Sequence, residues 1–131
     1  MIIKCIKLQQ QSPVLEGIGW HNVEDHLTIS KLYIVLAIKE EYGLPWVLIC
    51  DDVSEQLPSK FPYFIPMDYF EIVDDSPSQY WVKKDNMVGF KELVEDKHFY
   101  YNLSEESERE YDIYMQYKKK IFAESIVKKD I

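Results

Sequence analysis

Two histidines and two carboxylates fall within six residues in His21-Asn22-Val23-Glu24-Asp25-His26, side chains that together could hold one zinc ion. Zinc proteases, however, set their histidines on one helical face, and five residues apart is not that spacing. The stretch has no period of its own, so it is expected to be a solvated loop and not a metal site. Cys50-Asp51-Asp52 could supply a thiol nucleophile only if its pKa were lowered, and two adjacent acids act the other way, so a packed core thiol is expected. The pairs Asp51-Asp52 and Asp74-Asp75 have the residue types of glycosidase or magnesium chemistry. Neighbours on a strand face opposite sides, so neither pair forms a joint site, and both are expected to be solvated strand-end turns. Gly17-Ile18-Gly19 lacks the third glycine of a dinucleotide loop. Lys118-Lys119-Lys120 suits a helix C-terminus. No catalytic residue, metal or cofactor is expected.

Charge is more informative. Residues 40–79 hold nine acids against Lys60 alone, which equals the net charge of −8, while the other 91 residues balance at 14 acids and 14 bases. The same window carries Tyr42, Trp46, Phe61, Tyr63, Phe64, Tyr69 and Phe70. Acids steer a basic partner and aromatics supply contact area. The expected partner-binding face is Glu40, Glu41, Tyr42, Glu55, Phe61, Tyr63, Phe64, Asp68, Asp74 and Asp75. A pI near 4.8 and a single arginine, Arg109, argue against nucleic acid as a direct ligand.

These residues must be positioned by one domain, because 131 residues with 47% hydrophobic content suffice for a single core. Residues 1–88 read mainly as strands and 89–131 mainly as helix. Strands are expected over Ile2–Leu8, Leu32–Ile38 (buried on both faces), Trp46–Cys50, Tyr69–Val73 and Gln79–Lys83, with a turn at residues 40–43. Residues 9–26 read as a long loop. Pro58, Pro62 and Pro66 exclude a central strand around them. Phe90–Val94 reads as a short helical piece. A helix over about residues 104–125 is capped by Asn102 or Ser104 and buries Tyr111, Tyr114, Met115, Ile121 and Phe122. Cys5 and Cys50 read as buried free thiols. The N-terminus does not read as a signal peptide, and the longest apolar runs are far below the roughly 20 residues needed to span a bilayer. A soluble, cytoplasmic protein without membrane contact is expected.

Three segments resemble small acidic SH3-like barrel proteins of bacteria and phages. Leu27-Thr28-Ile29-Ser30-Lys31-Leu32-Tyr33-Ile34-Val35 resembles their L-T-x-G-K-x-Y-x-V opening, with Ser30 in place of glycine. Trp46 to Asp52 resembles their second strand with its D-D turn, and Phe61-Pro62 with Phe70-Glu71-Ile72-Val73-Asp74 resembles their F-P and F-E-I-V-D strand. The resemblance covers about residues 27–83 and implies an α+β fold, a small curved antiparallel sheet or SH3-like barrel with the C-terminal helix across one end. Ile65-Pro66-Met67-Asp68-Tyr69-Phe70 gives a fainter echo of the SH3 domain proper. By protein type, the chain is similar to immunity proteins of contact-dependent inhibition and related toxin systems. The expected function is occlusion of a basic partner, a nuclease-type toxin domain. The alternatives are a phage or mobile-element nucleic-acid mimic, and a metal-dependent hydrolase using the His21–His26 cluster.

Overall fold

Alternation of β-branched residues with lysine at the N-terminus forms β1 (Ile2–Cys5). The apolar run expected as one strand over Leu32–Ile38 is instead divided into β2 (Leu32–Ile34) and β3 (Ala37–Glu41). After them come β4 (Leu44–Ile49), β5 (Tyr63–Pro66), β6 (Phe70–Asp74), β7 (Trp81–Lys84) and β8 (Met87–Phe90). The helices are α1 (Pro13–Gly17), α2 (Asp52–Gln56), α3 (Lys91–Glu95), α4 (Phe99–Ser104) and α5 (Glu108–Lys129). The computed structural model describes residues 1–57 and 61–129, with side chains through Ser125; Pro58 and Lys60 lie outside the described residues.

Two antiparallel sheets and a helical layer result. One sheet has the order β2-β1-β6, the other β5-β4-β3-β8-β7. The chain passes between the sheets three times, from β2 to β3 through Val35-Leu36, from β5 to β6 through a 3-10 turn at Met67–Tyr69, and from β6 back to β7 through residues 75–80. β4 explains the layering. Its alternate residues Val47 and Ile49 join a core with Ile3, Cys5, Tyr33 and Phe70 of the smaller sheet and Tyr69 of the 3-10 turn. Leu48 and Cys50 face the opposite way, into a core with Leu93, Phe99, Leu103, Tyr114 and Ile121 of the helices. A strand buried on both faces reads as a continuous apolar run, and each aliphatic side chain so buried contributes about 1.5–3 kcal/mol.

Local chemistry sets the boundaries. The β3–β4 connection is the two-residue turn Tyr42-Gly43, with φ of 56° and 74°, the positive values that a tight hairpin demands. Glu40 and Glu41, expected in that turn, are the last residues of β3 and pair with Pro45 and Leu44. Pro62 and Pro66 flank or end β5, which is an edge strand, as a residue without an N–H requires. Gly89 is needed for contact: a Cβ there would lie 2.8 Å from Cβ of Ala37 on the neighbouring strand. Ser30 adopts φ 71°, a left-handed conformation that favours glycine.

Several expectations change. The long loop contains α1, whose N-cap Ser12 accepts from the Leu15 N–H and whose first residue is Pro13, the favoured arrangement for a helix start. The strand expected from Gln79 begins at Trp81, and β8 and α4 add to the expected elements. Among the described residues, eight strands in two sheets replace the expected single five-stranded sheet. Asn102 and Ser104 lie in α4, and the C-terminal helix starts later. Its first turn is bridged by Ser107, whose carbonyl accepts from the Tyr111 N–H and whose hydroxyl donates to Glu110. The expected stripe does face the core: Tyr114 and Ile121 are fully buried, with Tyr111, Met115 and Phe122 packed beside them. No helix among the described residues is long and apolar enough to cross a membrane.

Candidate functional site

The end of β4 is the junction from which the site is built. Asp51, expected in a solvated turn, is 0% exposed, and the strand runs directly into α2 with Asp51 as its N-cap. One carboxylate oxygen accepts from the Ser54 N–H at 2.8 Å and the Ser54 hydroxyl at 2.9 Å. The other lies 2.7 Å from Nδ1 of His26. Two donors already converge on this carboxylate, so the imidazole meets it through Nδ1–H. The Asp52 N–H donates to the His26 carbonyl at 2.9 Å, which fixes the backbone beside the ring. A buried acid survives here because it is fully hydrogen-bonded.

His26 and Asp51 stand at one end of a cleft of about 320 Å³ whose walls include Trp20, Val23, Tyr63 and Ile65. Trp20 is held by its indole N–H, which donates to the Tyr69 hydroxyl at 2.8 Å, and by edge contact with Trp46. The Tyr63 ring presents its edge to His26 at 6.2 Å between centroids. His21 also lines the cleft, but Glu24 and Asp25 are exposed, and no group of three or more His, Cys, Asp or Glu among the described residues could hold a metal ion. Both cysteines are free and buried. Burial pushes both thiols up, and Cys50 is in contact with the Tyr114 hydroxyl at 3.0 Å.

Asp52 faces the other way from Asp51 and organises a second network. It accepts from Lys31 Nζ at 2.7 Å, the Thr28 hydroxyl at 2.6 Å and the Tyr33 hydroxyl at 2.9 Å. Burial alone would raise its pKa, but the hydrogen bonds from Lys31, Thr28 and Tyr33 outweigh that and hold it below the ordinary carboxylate value. Lys31 moves oppositely: burial would lower it, yet its bonds to Asp52 and Glu55 raise it. The Tyr33 hydroxyl is pushed up by burial first and by the Asp52 charge in addition.

The residues expected to bind a partner occupy several places. Glu40, Glu41 and Tyr42 form the tip of the β3–β4 hairpin, where Tyr42 is 58% exposed. Glu55 is on α2, ion-paired with Lys31. Phe61 and Phe64 both pack on Tyr100 and join the helix-side core, while Tyr63 borders the cleft. Asp68 lies in the 3-10 turn and pairs with Lys7; Asp74 ends β6 and accepts from the Ser76 N–H; Asp75 beside it is exposed. Lys4, Lys7, Lys31 and Lys39, all outside the acidic window, form ion pairs with Glu71, Asp68, Asp52 and Glu41. The linear acidic window thus folds into a surface interleaved with lysines. Sequence reading missed His26 and Asp51 as partners, since nothing local links residues 25 positions apart.

Against models of known protein families, curated proteins and solved structures, the chain has no match.

Proposed function

We propose that this chain is a cytoplasmic binding protein that neutralises a basic protein partner by occlusion, an immunity protein for a nuclease-type toxin domain. The observation that carries the reading is the charge of the first 79 residues, which hold 12 acids and five bases, and four of those bases are already ion-paired internally. Exposed acids are left at Glu24, Asp25, Glu40 and Asp75, with the exposed ring of Tyr42 beside Glu40. Such a surface steers a cationic active site and covers it with aromatic area. The interleaved lysines weigh against a nucleic-acid mimic, whose acids would form one extended face. The hydrolase alternative has less support, because Glu24 and Asp25 of its cluster are exposed and no group of three or more His, Cys, Asp or Glu among the described residues could hold a metal ion.

We further read the two sheets as an SH3-like barrel. The segments 32–41 and 63–74 each run from one sheet into the other, so chain continuity links the paired strands β1–β2 and β6–β1 of one sheet to β3–β4 and β4–β5 of the other, which gives this reading its support.

The test is co-expression with a toxin domain encoded beside this chain. Wild type is expected to restore growth, and the variant carrying Glu40→Lys, Glu41→Lys, Glu55→Lys and Asp75→Lys is expected to lose protection, mainly through slower, more salt-sensitive association. Each exposed ion pair broken costs only about 0–1 kcal/mol of stability, so the variant should remain folded by melting temperature. A folded variant that protects as well as wild type would sink the reading.

A further inference from the structure

We propose that the cleft between Trp20 and Tyr63 is an anchor site for one cationic side chain, an arginine or lysine, of the basic partner; the biological role of that anchor rests on the binding reading above. At about 320 Å³ the cleft lies at the low end of the ~300–1,000 Å³ range of ligand pockets, enough for one long side chain and not for a folded element. Its lining combines the apolar side chains of Trp20, Val23, Tyr63 and Ile65 with the polar groups of His21, Asn22, His26 and Asp51. That pattern complements an aliphatic stem ending in a hydrogen-bond donor.

The sign of the charge follows from the polar end. Asp51 takes the Nδ1–H of His26, so the neutral imidazole has its Nε2 lone pair as an acceptor. The pair then carries the carboxylate's negative charge, and among the described residues no lysine or arginine lines the cleft. Lys31, five residues after His26, is engaged by Asp52 and Glu55. Aromatic faces add attraction for a cation, and the fold already uses it nearby: the Lys39 ammonium lies 4.4 Å from the centroid of Phe64, another residue of the cleft wall. An anionic ligand would meet a carboxylate, and a purely apolar one would leave His26 Nε2 without a donor.

The experiment is an NMR titration of the whole chain at about pH 8. The probes are N-acetyl-arginine amide, its uncharged citrulline counterpart and N-acetyl-glutamate amide. Arginine amide is expected to shift the Trp20 indole and His26 ring resonances in a saturable way. Citrulline amide should bind about tenfold more weakly, through loss of the cation–aromatic term, and glutamate amide should not bind. Tyr63→Leu and His26→Phe, each checked for folding by its amide spectrum, should weaken arginine amide. Equal binding of citrulline or glutamate amide, no shift at the cleft resonances, or arginine shifts that persist unchanged in both folded variants would each overturn the proposal. The probes need no toxin, so probe binding without protection in co-expression keeps the anchor site and rejects the immunity reading. Protection without probe binding does the reverse.

Discussion

The two cores of this protein differ in what closes them. The sheet–sheet core is sealed at one end by polar groups: His26 on Asp51, Trp20 on Tyr69, and Lys31, Thr28 and Tyr33 on Asp52. The sheet–helix core is closed by rings, with Phe90 stacked on Tyr117 at 4.6 Å and Phe99 edge-on at 5.5 Å, and Tyr114 buried at its centre. Polar closure fixes directions and leaves hydrogen-bonding capacity at a cleft. Aromatic closure maximises burial and leaves little for a ligand to address. The cleft therefore belongs to the first region, and the second holds that region's sheet in place.

The comparison can be broken by three measurements. The largest effect is expected from Tyr114→Ala, which removes a fully buried ring from the helix side and should cost about 3–5 kcal/mol in denaturant unfolding. Asp51→Ala should cost less, about 2 kcal/mol, through loss of the helix cap and of buried hydrogen bonds. It should also release the His26 ring, visible as altered imidazole resonances. A Tyr114→Ala cost below that of Asp51→Ala would reverse the assignment of stability to the helix side.

The smallest effect concerns pH. Asp52 has a folded pKa below its unfolded value, so its contribution is complete above the unfolded aspartate value and is lost as the pH falls through the folded one. Asp52→Asn should cost about 1–3 kcal/mol at neutral pH, and the gap between variant and wild type should shrink on acidification through that window. A gap that stays constant into acid would show that the carboxylate charge does not hold the network.

Much of this was legible in the sequence wherever one segment serves one core. The alternation of residues 2–5, the proline limits of β5 and the apolar stripe of the last helix each express a single burial direction. The run 32–38 does not, because Val35 belongs to the sheet–sheet core and Leu36 and Ala37 to the other. A corner made of side chains that are all buried has no period to reveal it. α1 and β8, at five and four residues, are too short for periodicity, and Gly89 obscures the second. Asp51 carried a local signal that was passed over: an acid followed three residues later by Ser54, with Asp52 and Glu55 between and after, is a helix start. The charge window misled differently. Charge summed along a chain says nothing of which lysines the fold brings alongside, and Lys4 and Lys7 come from a strand far away in sequence.

The place of β1 has a consequence for how the chain assembles during synthesis. Of the described strands it is the first to be made, yet it is the middle strand of its sheet and pairs on one side with β6, which is made long after it. Until then Ile2, Ile3 and Cys5, buried in the finished protein, have one sheet partner at most. Contacts so distant in sequence slow folding relative to local ones, so β1 is the strand that waits longest for a sheet partner.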